Sequence, residues 1–84
     1  MKLIMKTEII VPKLYEDLEA GILLKWLKQV GESVEVGDSL FSLETDKASF
    51  DIEAEEEGIL KTILYQANSK VKVLEVVGYL ESPD

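Results

Sequence analysis

The sequence predicts an all-β fold, a small sandwich or flattened barrel of about eight short strands. Three observations carry this. The chain is written twice, its apolar residues recur at period two, and Gly or Asn falls between the resulting segments. The repeat is the strongest of the three. Gly21–Glu44 aligned without a gap on Gly58–Glu81, 37 positions on, gives nine identities in 24 pairs, where average composition gives roughly one or two. The identical pairs include Gly21/Gly58, Leu23/Leu60, Leu27/Leu64, Val34/Val71, Val36/Val73 and Leu43/Leu80. Two copies are too few for a solenoid, so two halves closing on a common core are expected.

Ile9-Ile10-Val11 supplies an opening strand, ended by Pro12, which has no N–H for a ladder. In Leu14–Ala20, Leu14 and Leu18 stand at the i, i+4 spacing of a helical turn. Pro12 and the acidic residues favour a surface loop instead. In Ile22–Lys28, Leu23 and Leu27 flank Lys25 at period two. This predicts Leu23 and Leu27 as core residues, with Trp26 and its counterpart Ile63 covering the other face. Val34 and Val36, then Leu40 and Leu43, extend the pattern, as Val71, Val73, Val77 and Leu80 do in the second copy. Phe50-Asp51-Ile52-Glu53-Ala54 alternates apolar and acidic residues, the mark of a strand with one wet face. Gly21, Gly31, Gly37, Gly58 and Asn68 fall between the predicted strands, where glycine or asparagine relieves the steric cost of positive φ. Leu74 stands opposite Gly37, which predicts an altered turn at that point.

The 84 residues suffice for one domain with one modest core, and a folded core of about 7–81 is expected within a single domain spanning 1–84. No apolar run reaches the length of a membrane span. The opening Met1–Lys6 is too short for a signal-peptide core, which makes a cytosol-like compartment, bacterial cytoplasm or organellar matrix, the expectation. There is no cysteine, hence no disulfide, thiolate nucleophile or redox centre of the protein's own. There is no histidine either, so the commonest general base and metal ligand is missing. Neither a phosphate loop nor a calcium-loop motif occurs. Independent catalysis and a metal site are therefore not expected. The net charge of −8, with Glu53, Glu55, Glu56 and Glu57 clustered, disfavours nucleic acid and anionic membrane as partners. An acidic surface serves solubility in the first instance and selection of basic partner surfaces in the second.

Chemistry has one candidate location. In Leu43-Glu44-Thr45-Asp46-Lys47-Ala48-Ser49-Phe50, strand patterns flank a short polar link at Asp46-Lys47, which reads as a hairpin joining the two halves. A lysine at such a tip is exposed and mobile. An arbitrary surface lysine only keeps a turn soluble.

These residues resemble the lipoyl domains of 2-oxo acid dehydrogenase complexes, within the biotinyl/lipoyl carrier family. Glu44-Thr45-Asp46-Lys47-Ala48 is similar to the lipoylation motif, with Gly31 sixteen residues before Lys47 and Gly58-Ile59-Leu60 beginning eleven after it. The resemblance runs from about Glu8 to Glu81 and includes Lys25-Trp26-Leu27 and Val34-Glu35-Val36-Gly37-Asp38. It implies two four-stranded antiparallel sheets related by a quasi-two-fold axis. It also implies covalent lipoate on the side-chain nitrogen of Lys47, with Asp46 and Ala48 as recognition flanks. A chain without cysteine then does dithiol chemistry only with sulfurs that arrive on a cofactor.

The implied partners are a lipoate ligase or lipoyl transferase, a thiamine-dependent 2-oxo acid dehydrogenase, the acyltransferase core and dihydrolipoamide dehydrogenase. The implied role is a non-catalytic swinging arm within an acyltransferase component, and the isolated domain is expected to be monomeric. A biotinyl carrier uses the same hairpin lysine but places methionine on both sides of it, whereas Asp46 and Ala48 flank Lys47 here. A glycine-cleavage carrier is longer, and an unmodified β-sandwich adaptor needs no lysine at this turn. The loop Pro12–Leu18, which the resemblance places near the hairpin, lacks the glycine common in the family near Tyr15.

Overall fold

The computed structural model describes residues 5–82. Part of Met1–Lys6, and Pro83-Asp84, therefore lie outside the described residues. Eight strands follow one another: β1 Lys6–Ile10, β2 Ala20–Trp26, β3 Ser33–Val34, β4 Ser39–Glu44, β5 Ser49–Glu53, β6 Gly58–Ile63, β7 Ser69–Lys72 and β8 Val76–Glu81. They form two antiparallel four-stranded sheets, in the orders β1-β8-β6-β3 and β5-β4-β2-β7. The flattened sandwich expected from the repeat is present. The sheets are not closed into a barrel, since each keeps two edge strands.

The repeat is the symmetry of the fold. A shift of 37 carries β2, β3 and β4 onto β6, β7 and β8, and β5 takes the place of β1. Individual hydrogen bonds repeat as well. Gly31 N–H donates to Leu60 O at 2.7 Å and Asn68 N–H to Leu23 O at 2.7 Å. Leu27 N–H donates to Leu40 O and Leu64 N–H to Val77 O, both at 2.8 Å. The close approaches are paired too. A Cβ on Gly21 would lie 2.7 Å from Glu44 O, and one on Gly58 would lie 2.6 Å from Glu81 O. Only glycine lets these strands begin so near a neighbouring carbonyl.

One core lies between the sheets. Leu23, Val34, Leu40, Phe41, Leu43, Ile52, Leu60, Val71, Val77 and Leu80 are buried in it, with Ile9, Val11 and Ala54. Leu23 is where the alternation predicts. Leu27 is not: it is 37% exposed and its counterpart Leu64 49% exposed. The cause is a bulge in each half, where the register shifts between Leu23 and Lys25 and between Leu60 and Thr62. A bulge adds a residue and reverses the alternation beyond it. Trp26 and Ile63 consequently turn inward and pack against the core. The Trp26 ring lies 5.2 Å from that of Phe41, and its indole N–H donates to Tyr65 O at 2.9 Å. Val36 likewise falls in a turn and is exposed.

The turn at Leu74 is a second correction. Leu74 adopts φ 70° beside φ 92° at Gly37, and Asn68 φ 67° beside φ 96° at Gly31. Leu74 N–H donates to Val11 O at 2.8 Å, as Gly37 N–H donates to Ala54 O at 2.9 Å. The turn is thus conserved between the halves, and Leu74 accepts the left-handed conformation that glycine fills at no steric cost.

Candidate functional site

Leu14–Ala20 forms a loop with a turn at Glu16-Asp17, as expected, and then enters β2 at Ala20. It breaks the two-fold plan. Between β1 and β2 run nine residues, Val11–Glu19, whereas the equivalent link from β5 to β6 has only four, Ala54–Glu57. The extra length is anchored by Leu18, which is 3% exposed. It brings Tyr15 to the β4–β5 connection.

That connection is the hairpin predicted from sequence. Glu44 pairs with Ser49 at the end of the ladder. Thr45 N–H then donates to Ala48 O at 2.8 Å, closing a loop whose free residues are Asp46 and Lys47. The Thr45 side chain secures the turn. Its hydroxyl donates to Ala48 O at 2.9 Å and accepts from the backbone N–H of Lys47 and of Ala48, each at 3.2 Å. This is the local bonding by which a threonine before a turn substitutes for ladder partners.

Lys47 is exposed at the apex. Its Nζ stands 4.3 Å from the centre of the Tyr15 ring, inside the range for a cation–π contact. The Tyr15 hydroxyl donates to Asp46 Oδ1 at 2.7 Å. The phenol has its ionisation raised above the usual value. The Thr45 hydroxyl acts most strongly and in the lowering sense, but desolvation, the Asp46 hydrogen bond and the charges of Asp46 and Asp17 outweigh it. Tyr15 therefore keeps its proton and its donor role at neutral pH. A shallow groove beside the tip is lined by Ala20, Gly21, Ile22, Glu44, Thr45, Asp46 and Lys70.

The structure thus brings together Lys47, Asp46 and Ala48, and gives the two flanks definite work. Asp46 fixes Tyr15 and Ala48 closes the loop. Sequence reasoning missed Thr45 and the part played by Tyr15. Thr45 carried a local signal, a hydroxyl residue directly before a turn. Tyr15 carried no local signal, because its partners lie 31 residues on for Asp46 and one further for Lys47; the resemblance alone placed its loop near the hairpin.

The tip and the Met5–Ser82 pair occupy equivalent places in the two halves. Ser82 N–H donates to Met5 O at 2.9 Å, the counterpart of the Thr45–Ala48 bond. Strands β2 and β6 meet where Trp26 bonds Tyr65, while they start beside Glu44 and Glu81 respectively. The hairpin and the Met5–Ser82 pair therefore lie at opposite ends of the sandwich. Among the described residues there is no cluster of three metal-ligating side chains, and no helix long and apolar enough to cross a membrane.

Comparison with known proteins adds independent findings. A family model described as "Biotin-requiring enzyme" matches residues 7–80. The chain is 44% identical over 71 residues to the dihydrolipoyllysine-residue succinyltransferase component of the 2-oxoglutarate dehydrogenase complex of Bacillus subtilis, a match covering 84% of this chain and 17% of that protein. It is 43% identical over 70 residues to the pyruvate dehydrogenase E1 component subunit beta of Rhizobium meliloti, covering 82% of this chain and 15% of that one. Among solved structures, it is similar to the lipoyl domain of the 2-oxoglutarate dehydrogenase complex from Azotobacter vinelandii. The TM-score there is 0.69 at 29% identity, over 87% of this chain and 92% of that one. The chain spans less than a fifth of the curated relatives' length.

Proposed function

The chain belongs to the family of biotin- and lipoyl-bearing domains, and from that membership we propose that it is a lipoyl carrier module whose attachment residue is Lys47. The observation that carries the reading is the position of Lys47. It is the exposed apex of a two-residue loop, at the end of the sandwich remote from Met5 and Ser82, on a turn fixed by its neighbours. The residues fit an attached acyl arm, since Lys47 is exposed at the apex and the turn is held by Thr45 and Ala48 without help from the lysine side chain. The flanks Asp46 and Ala48 favour lipoyl over biotinyl attachment, for the biotinyl pattern has methionine at both places.

The protein's own residues do no bond-making in this reading. Bound lipoate supplies a dithiol–disulfide pair that takes up an acyl group and two electrons. The sandwich presents that arm rigidly, and tethering raises its effective concentration at each partner. The partners proposed are a lipoate ligase or lipoyl transferase, then the dehydrogenase, acyltransferase and flavoprotein components of a 2-oxo acid dehydrogenase complex. The compartment is bacterial cytoplasm or mitochondrial matrix, and residues 1–84 form one monomeric domain with its folded core at about 7–81. The relatives carry this module on different components, a succinyltransferase and a dehydrogenase β subunit among them. The proposal therefore assigns the role of the module and leaves its host open.

Incubation with a lipoate ligase, ATP and lipoate, followed by intact mass and peptide mapping, tests the assignment. A single adduct on Lys47 is expected. An adduct mainly on Lys13, Lys61 or Lys70 refutes it. Lys47→Ala should abolish modification and leave stability within about 0.5 kcal/mol, as for exposed turn residues generally.

A further inference from the structure

Tyr15 is the one side chain at the tip that the two-fold plan does not supply. It belongs to the five additional residues by which the β1–β2 link exceeds its counterpart. Two contacts use it fully. The hydroxyl is held by Asp46 at 2.7 Å, which fixes the plane of the ring. The ring face receives the Lys47 ammonium at 4.3 Å. Among the described residues no carboxylate lies within ion-pair distance of Lys47; the ion pairs present involve Lys28. The ring is therefore what holds the amine in place.

We propose that Tyr15 is a charge-dependent seat for Lys47, holding the free ammonium on the hairpin and releasing the arm once an amide has removed the charge. This rests on the reading of Lys47 as the attachment residue. The contact is an attraction between a full positive charge and the negative face of the ring. Amide formation joins Nζ to the carboxyl carbon of a nucleotide-activated acyl donor. The bond from that carbon to the nucleotide phosphate breaks, and the ammonium gives up two protons. The product nitrogen is neutral and no longer drawn to the ring, whereas the bond from Tyr15 to Asp46 involves neither changed atom and persists. The seat therefore remains built while its occupant leaves. An unmodified lysine is kept close to the turn, and a modified one is free to range.

The consequence is visible by NMR. Protons lying over an aromatic face are shifted upfield, so the Lys47 Hε signals should lie upfield of those of Lys13, Lys61 and Lys70 in the unmodified protein. Acetylation of Nζ at Lys47 alone, by site-specific incorporation, makes the neutral amide without any ligase and should return the signals to the ordinary range. Tyr15→Phe keeps the ring but loses the Asp46 bond that orients it, and should reduce the upfield shift; Tyr15→Leu should abolish it. In competition with an amine-reactive ester, Lys47 in Tyr15→Leu should react about two- to fivefold faster relative to the other lysines, the factor matching an exposed cation–π contact. An upfield shift that survives acetylation would show packing in place of charge and overturn the proposal. Its absence from the unmodified protein would overturn it equally, and the acetylation arm uses native Tyr15, so it stands even if a variant folds poorly. Failure of a ligase to modify Lys47 would sink the carrier reading instead, a separate result.

Discussion

Replacing Leu74 by glycine should leave the domain about as stable as before, although it removes a large apolar side chain. Leu74 holds φ 70° in a turn whose counterpart uses Gly37 at φ 92°. For an L-residue with a Cβ the left-handed region costs about 1–2 kcal/mol. The side chain recovers little of this, because the residue is 63% exposed. Burying a leucine fully is worth about 1.5–3 kcal/mol, so the buried third contributes about 0.5–1 kcal/mol. The greater freedom of glycine in the unfolded chain subtracts about 0.4–1 kcal/mol more. These contributions nearly cancel, so Leu74→Gly should lie within about 0.5 kcal/mol of the parent. Leu74→Ala isolates the backbone contribution, since it loses the side chain and keeps the strain. Glycine should exceed alanine by about 1 kcal/mol, or roughly 4–8 °C in Tm for a domain of this size. Thermal and urea melts followed by circular dichroism measure both differences. Glycine no more stable than alanine would refute the idea that the turn is strained. The mirror variant Gly37→Leu supplies the converse check and should lose about 1–2 kcal/mol.

Leu23→Ala should cost about 2–5 kcal/mol by opening a cavity, whereas Leu27→Ala should cost under ~1 kcal/mol; equal losses in urea melts would contradict the bulge that separates them. Exchange of Lys47 and Ala48 keeps composition and moves the amine one step down the ladder, so ligase time courses read by intact mass should slow at least ~10-fold; an unchanged rate would mean that the motif alone guides modification. Acid should weaken the fold through two carboxylates. Asp38 is held below its ordinary 3.8 by the Glu35 backbone N–H and then by Lys28, and Glu75 below its ordinary 4.5 by the Tyr65 hydroxyl and then the Lys72 backbone N–H. With folded values below unfolded ones, this stabilisation is complete above those ordinary values and is lost as pH falls through the lowered ones. Tyr65→Phe removes the main partner of Glu75, so its Tm should drop less between pH 6 and pH 3 than that of the parent, and an equal drop would count against the assignment.

The repeat made the architecture legible because identical pairs mark positions with identical surroundings: Gly21 and Gly58 each face a backbone carbonyl, and Leu23 and Leu60 are each wholly buried. The hairpin lysine was legible for a related reason, as a polar link between two alternating runs. Leu27 was misread because counting in twos assumes an unbroken ladder. The bulges that redirect Trp26 and Ile63 inward depend on how β4 and β8 pair, which no local pattern records. Leu74 was misread differently. Its residue type argued for a new turn, yet the bonds from Leu74 to Val11 and from Tyr65 to Glu75 hold the old one in place. The Tyr65–Glu75 pair itself stands where the other half has the ion pair of Lys28 with Asp38. One geometry is thus kept by unlike chemistry, which is why identity between the halves underestimates their structural likeness. Tyr15 was out of reach because its meaning depends on a contact across the fold.

The departures from two-fold symmetry fall at one end, and this bears on how a carrier is made from a repeat. In a perfect two-fold sandwich the β4–β5 and β8–β1 connections would be equivalent, and the first closing bond, Thr45 to Ala48, does have its twin in Ser82 to Met5. A single chain has to join one such pair and leave the other open. The joined pair becomes a tight turn with an exposed apex, and the open pair becomes the place where any flanking sequence departs. Since β2 and β6 converge at Trp26 and Tyr65, these two places face opposite ways. A group on the apex is therefore held as far as the domain permits from a tether, the arrangement that lets a tethered module reach a partner without its own linker in the way. The second departure, the longer β1–β2 link, adds Tyr15 at that same apex, its ring 4.3 Å from the Lys47 amine, whereas at the other end Lys6 lies over the Tyr79 ring at the longer distance of 5.5 Å. Connectivity alone produces the presented lysine; the additional loop residues are what set an aromatic ring against it.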